Sequence, residues 1–160
     1  MSVMTKTLEE TFALGRELGK RLQPGDVIAL SGPLGIGKTQ LVHGVAESYL
    51  GPGVRVCSPS FTIINQYIVG ARRIYHLDLY RLSSFEELES TGYWDTIEDP
   101  EAVILIEWLE QVERAKPLQY TQIHINFADE NADLSNTSRI FSLIDEDHPD
   151  LYRRIKDLFD

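Results

Sequence analysis

Gly32-Pro33-Leu34-Gly35-Ile36-Gly37-Lys38-Thr39 fills every position of the pattern G-x-x-x-x-G-K-[ST]. Each residue type in it has a chemical task. The glycines let the backbone double back so that its N–H groups converge on a polyphosphate. Lys38 brings a compact positive charge to the β- and γ-phosphates, and the Thr39 hydroxyl is a ligand for a bridging Mg²⁺. A second candidate set lies further on. His76 and Asp78 fall on one face of an apparent strand, and Glu107 closes the apolar run Ala102-Val103-Ile104-Leu105-Ile106. A buried strand ending in a carboxylate is the Walker B layout, in which the acid holds Mg²⁺ directly or through water. Aspartate is usual there, and glutamate supplies the same group with longer reach.

These residues need elements to position them. Val27-Ile28-Ala29-Leu30 is a continuous apolar run of the kind found in buried parallel strands, punctuated before it by Pro24-Gly25-Asp26. Behind the loop, Leu41, Val42, Val45, Ala46 and Tyr49 recur at helical spacing until Gly51-Pro52-Gly53. Ahead of it, Thr7 and Glu10 have capping-box spacing, and Leu8, Phe12, Gly15, Leu18 and Leu22 line one face of a first helix. On that helix, Thr11 is a polar candidate for touching a nucleotide.

Val54-Arg55-Val56-Cys57 reads as a short strand leading into the hydroxyl-rich Ser58-Pro59-Ser60-Phe61-Thr62. Just beyond a strand end is where open α/β sheets hold ligands, so this segment reads either as a γ-phosphate sensor or as a plain Ser/Pro turn. Phe61 to Ile68 and Arg73 to Tyr80 read as a hairpin around Val69-Gly70-Ala71-Arg72. On pattern alone the His76, Asp78 and Tyr80 face is the solvated one. Ser83 with Glu86, and Ser84 with Glu87, are alternative capping boxes for a short acidic helix. Downstream, Ile123, Ile125 and Phe127 alternate, Arg139 to Ile144 suggests another strand, 129–137 is a polar loop between them, and Asp147 is placed to cap a last helix with Leu151, Ile155 and Leu158. His43, His76, His124 and His148 are too scattered for spacing alone to make a site.

A length of 160 residues, with 42% hydrophobic and 25% charged, predicts one domain, residues 1–160, of ordinary globular composition. No apolar run is long enough for a bilayer, the N-terminal residues show no leader pattern, and Cys57 is the sole cysteine, which together predict a cytoplasmic protein. The net charge of −10 is uneven, with nine Lys/Arg against six Asp/Glu over residues 1–81 and six against nineteen over 82–160. That balance opposes direct grip on nucleic acid and suits either a basic protein partner or simple solubility.

Gly32 to Thr39, Ser58-Pro59-Ser60-Phe61-Thr62, His76-Leu77-Asp78-Leu79-Tyr80-Arg81 and Ile106-Glu107-Trp108 together resemble the TsaE (YjeE) family, small bacterial P-loop ATPases of tRNA threonylcarbamoyladenosine synthesis. The resemblance runs from about Thr7 to Glu113. It implies an α/β, P-loop NTPase-like three-layer sandwich with a mixed, mostly parallel sheet and an antiparallel hairpin. It also implies ATP and Mg²⁺ as cofactors, TsaD and TsaB as partners, and tRNA reached only through them. By this resemblance Lys38 and Asp78 are the catalytic candidates. Gly35, Ile36, Gly37, Lys38, Thr39, Gln40, Ser60 and Thr62 are the nucleotide-binding ones, joined by Thr11 from its place on the first helix, and Thr39 and Glu107 the metal ligands.

The chain departs from the family pattern at Pro33, where an acidic residue is usual, and at Ile36, whose bulk is expected beside the phosphate loop. Ser60 replaces threonine, and Gln66 replaces glutamate. Two other classes of function fit the P-loop: a small-molecule kinase with Arg72, Arg73 or Arg81 as clamps, and a docking module shaped by bound nucleotide. Trp108 reads as a core residue.

Overall fold

The computed structural model describes residues 1–129, 131–132 and 137–160, with the side chains of residues 145 and 146 left aside. Its strands are β1 (Ser2–Thr5), β2 (Val27–Ser31), β3 (Ile64–Val69), β4 (Arg72–Asp78), β5 (Ala102–Glu107), β6 (Tyr120–Phe127) and β7 (Arg139–Glu146). The helices are α1 (Leu8–Gly19), α2 (Lys38–Leu50), α3 (Phe85–Glu89), α4 (Tyr93–Ile97) and α5 (Pro149–Ile155).

One 7-stranded sheet has the order β1-β7-β6-β2-β5-β4-β3. The central pairings β6–β2, β2–β5 and β5–β4 are parallel, while β1–β7, β7–β6 and β4–β3 at the flanks are antiparallel. The continuous apolar runs occupy the parallel centre, where both faces are covered, and every residue of β2 and β5 is buried.

Side chains alternate between two cores. Ile28, Leu30, Ile74, Val103, Leu105 and Ile123 face α1, α2 and α5. Val27, Ala29, Tyr75, Leu77, Ile104 and Ile106 face α3 and α4. The result is the three-layer α/β sandwich with a mixed sheet and a hairpin at one edge.

The helix pair α1–α2 packs closely because both helices present glycine. A Cβ on Gly15 would overlap the Leu41 carbonyl, and one on Gly44 the Phe12 carbonyl. This close approach rotates α1 relative to its apparent apolar stripe. Thr11, Leu14, Gly15 and Leu18 are buried, whereas Leu8 is exposed. Thr7 does cap the helix, accepting from the Glu10 N–H at 3.1 Å, but Glu10 reaches back to the Lys6 N–H at 2.6 Å rather than to Thr7.

Other boundaries differ from the sequence pattern for identifiable reasons. Val54–Cys57 forms no strand: the backbone N–H and carbonyl of Cys57 are taken by the Tyr67 hydroxyl at 3.1 and 2.9 Å, in place of a neighbouring strand. Strand β4 stops at Asp78, two residues short of Tyr80, because the Asp78 carboxylate folds forward to accept from the Tyr80 N–H at 2.9 Å. Of the two candidate caps before α3, Ser84 is used, accepting from the Glu87 N–H at 3.2 Å, while the Glu87 carboxylate reaches back to the Ser83 N–H at 3.1 Å. His148, not Asp147, caps α5, its Nδ1 accepting from the Leu151 N–H at 3.3 Å. The polar loop expected over 129–137 falls partly outside the described residues.

Candidate functional site

The parallel register sets the site. Asp78 at the end of β4 lies directly beside Glu107 at the end of β5, and β2 next door feeds the phosphate loop. A cleft of about 290 Å³ at these strand ends is lined by Leu34, Gly35, Gly37, Lys38, Thr39, Ser58, Ser60, Asp78, Glu107 and Trp108. Its size is near the lower end of ligand pockets, which run from about 300 to 1,000 Å³.

The loop makes its turn into α2 at Gly37, whose φ of 117° is closed to L side chains. α2 then runs for 13 residues with its N-terminal amides at the cleft. Lys38 is buried, and its Nζ donates to the carbonyls of Gly32 at 2.6 Å and Pro33 at 3.0 Å. It also sits 4.6 Å from the Trp108 ring centroid. Burial lowers the Lys38 pKa from its ordinary value, opposed by the nearby charges of Glu107 and Asp78. The ammonium is therefore poorly hydrated beside two carboxylates, a state that a polyanion would relieve.

Asp78 is 6% exposed and Glu107 3% exposed. Burial raises the Asp78 pKa, with the Glu107 charge adding to the rise and the Tyr80 N–H opposing it. The His76–Asp78 face is thus interior, against the solvated reading. Ile74 on the same face packs into the core with α2, and β5 lies beside β4 in the sheet. His76 is fully buried, with Nε2 2.6 Å from Glu107 Oε2.

Two backbone outliers border the site. Trp108 has φ 59° and ψ 37°, a left-handed conformation unfavourable for an aromatic residue, and this aims its indole at Lys38 and Tyr80. Half-buried and lining the cleft, Trp108 is more than a core residue. Ile63 has φ 66°, rarer still for a β-branched residue. Its N–H donates to the Pro59 carbonyl at 2.8 Å, and its carbonyl accepts from the Asp78 N–H at 2.9 Å. The hydroxyl-rich segment is in this way linked through Ile63 to the backbone of Asp78.

The expected residues divide by placement. Gly35, Gly37, Lys38, Thr39, Ser60, Asp78 and Glu107 come together at the cleft. Thr11 does not line it: the side chain is buried and bonded to the Thr5 hydroxyl at 2.8 Å. Thr62 instead donates to Asn65 Oδ1 at 2.6 Å, while Ser58 lines the cleft and bonds Ser60 at 2.8 Å. Gln40 is held by the Leu8 carbonyl at 3.4 Å.

The Ile36 side chain is 1% exposed and joins the core that α1 and α2 cover, where its Cγ2 packs beneath Gly32 of the phosphate loop, and it does not line the cleft. Its carbonyl accepts from Arg139 Nε at 2.8 Å, a support that sequence spacing gave no hint of. Gln66 is exposed on β3 opposite Tyr75 and off the cleft. Two of the arginines considered as kinase clamps are engaged elsewhere: Arg72 with the Tyr49 carbonyl at 2.8 Å, and Arg73 with Asp99 at 3.4 Å. Arg81 stacks 4.2 Å from the Phe61 ring centroid.

No group of three or more His, Cys, Asp and Glu side chains suited to a metal is found among the described residues. Nor, among them, is any helix long and apolar enough to cross a membrane. One hydroxyl and one or two carboxylates, completed by phosphate oxygens and water, do however suit Mg²⁺, which seldom takes an all-protein cage.

A parallel-centred sheet feeding a complete phosphate loop, with acids at the ends of the neighbouring strands, defines a P-loop nucleotide-binding protein. The family model for the threonylcarbamoyl adenosine biosynthesis protein TsaE matches residues 5–140, and the chain belongs to that family. Relatives named tRNA threonylcarbamoyladenosine biosynthesis protein TsaE include one from Nostoc sp. strain PCC 7120, 41% identical over 78% of this chain and 76% of the relative. Another, from Bacillus subtilis strain 168, is 40% identical over 75% and 73%. The crystal structure of Bacillus subtilis YdiB superposes with a TM-score of 0.75 at 29% identity, covering 99% of this chain and 93% of that one.

Proposed function

We propose that this chain is a Mg²⁺-dependent ATPase of tRNA threonylcarbamoyladenosine synthesis, acting as one cytoplasmic domain with TsaD and TsaB and meeting tRNA only through them. The observation that carries the reading is the register that sets the Asp78 and Glu107 carboxylates side by side at the mouth of the phosphate loop. A docking module needs phosphate donors, but it has no need of a buried carboxylate kept short of hydrogen-bond donors.

Bound Mg²⁺ would offset the charge that develops on the phosphates during transfer to water. Thr39 Oγ1 and Glu107 are the side chains to hold it. The amides of Gly35, Gly37 and Lys38 bind the phosphate tail, and Lys38 leaves the Gly32 and Pro33 carbonyls to reach the β- and γ-oxygens. Asp78, with a raised pKa and one backbone bond, orients the attacking water and accepts its proton. Ser58 and Ser60 contribute hydroxyls on the γ-phosphate side.

The test is ATP turnover by the purified protein with and without TsaD and TsaB, together with their retention in a pull-down. Stimulated turnover that is lost in Asp78→Asn supports the proposal. Rapid phosphoryl transfer to a nucleoside or sugar would replace it with the kinase reading.

A further inference from the structure

Glu107 is a longer side chain than the aspartate usual at the end of a Walker B strand, with one more torsion to fix. A metal ligand with that freedom loses affinity to disorder unless something holds it. The structure supplies one candidate holder. His76 is fully buried, Glu107 is 3% exposed, and His76 Nε2 stands 2.6 Å from Glu107 Oε2.

The bond is directional. Glu107 as a carboxylate only accepts, so Nε2 carries the hydrogen and donates. His76 Nδ1 is buried with no partner, which costs least when that nitrogen is the unprotonated one. The neutral Nε2–H tautomer satisfies both conditions. The strands fix the reach: His76 pairs with Leu105 and Asp78 with Glu107, so the imidazole lies one row behind the acid on the same face of the sheet. One carboxylate oxygen is thereby occupied from the interior, while Glu107 still lines the cleft.

We infer that His76 is a positioning residue whose Nε2–H bond to Oε2 fixes the Glu107 carboxylate so that its other oxygen faces the metal. The inference rests on the reading of Glu107 as a Mg²⁺ ligand. Outer partners of this kind set metal affinity without touching the ion, and their loss costs about 10- to 100-fold. His76 makes no contact with nucleotide in this scheme, so nucleotide affinity without metal is untouched.

The experiment is calorimetric binding of a non-hydrolysable ATP analogue to the full chain, in EDTA and across a Mg²⁺ titration. The proteins are wild type, Glu107→Gln, His76→Leu, His76→Gln and His76→Asn, with circular dichroism as the fold check. The Gln amide nitrogen reaches the Nε2 position and the Asn amide does not. His76→Leu and His76→Asn are therefore expected to weaken Mg²⁺ binding about tenfold. His76→Gln should stay within about threefold of wild type, and the three His76 variants should match wild type in EDTA.

If Glu107→Gln loses the Mg²⁺ effect while His76→Leu and His76→Asn keep it, the positioning role is overturned and the metal site stands. If Glu107→Gln keeps it, the metal-ligand reading itself falls, and the inference with it. If His76→Leu does not fold, the Gln–Asn pair decides, and equal Mg²⁺ affinity in those two overturns the inference.

Discussion

Two buried carboxylates at opposite ends of the central strands are treated in opposite ways. Asp26, just before β2, is 3% exposed and saturated. Arg154 donates to both its oxygens at 2.9 and 2.6 Å, the Gln23 N–H adds a bond at 2.7 Å, and His148 Nε2 lies at 3.6 Å. Asp78, at the other end of the sheet, is 6% exposed and accepts one backbone bond. The first acid clamps α5 to the start of the sheet. The second is left with unused acceptor capacity beside a lysine that burial has made less basic. A carboxylate that serves the fold is surrounded by donors, whereas one that serves chemistry keeps its lone pairs for a ligand.

The contrast breaks most sharply at Asp78. Asp78→Asn is expected to lower partner-stimulated ATP turnover by about 10²- to 10⁴-fold while the fold survives. The direction of its stability effect follows from linkage. A carboxyl whose folded-state pKa is raised contributes stability below its unfolded pKa and loses it as pH rises, so at neutral pH the ionised Asp78 is a burden. Asp78→Asn should therefore raise the melting temperature. A variant that melts lower would place Asp78 with Asp26 as a structural acid.

Removing Asp26 should do the reverse. Asp26→Ala leaves Arg154 with the Arg21 carbonyl but no carboxylate in a largely enclosed site and is expected to cost about 3–5 kcal/mol in urea unfolding, with nucleotide affinity unchanged where the variant is folded. Next in size is the helix contact behind the phosphate loop. Gly44→Val forces a side chain against the Phe12 carbonyl and should cost about 1–3 kcal/mol, with weakened nucleotide binding because α2 carries Lys38 and Thr39.

The pH dependence sharpens the same contrast. In its proposed role Asp78 accepts a proton only when ionised, so the acid limb of the turnover profile should lie above the ordinary aspartate range, and Asp78→Asn should abolish that limb. The smallest effect is expected at the exposed pair Arg153–Asp150, whose side chains are 69% and 80% accessible. Arg153→Ala should change stability by less than about 0.5 kcal/mol, although Arg153 neighbours Arg154 in sequence.

The sequence by itself determined the phosphate loop, the strand before it, the helix after it and the acid that closes β5. These depend on consecutive residues or on one strand's continuous apolar run, so local conformational chemistry fixes them. The hairpin was legible for the same reason, since Gly70 at φ 60° joins two strands adjacent in sequence.

What only the tertiary structure decided depends on partners distant in the chain. The four residues of β1 carry no strand signal and are ordered by pairing with β7. The Val54–Cys57 run has strand-like residues but loses its neighbour to the Tyr67 hydroxyl. Thr11 and Thr62 are the right type for a nucleotide site, yet each is taken by another side chain, Thr5 and Asn65. Ser58 enters the cleft where Thr62 was expected. Ile36 is buried in the core beneath Gly32, off the cleft, a placement set by what packs around the loop. His76, one of four scattered histidines, becomes part of the site because the β4–β5 register carries it to Glu107, 31 residues away. Alternation tells which residues share a face, but burial of that face depends on what packs over it, and Ile74, on the face of His76 and Asp78, packs into the core with α2.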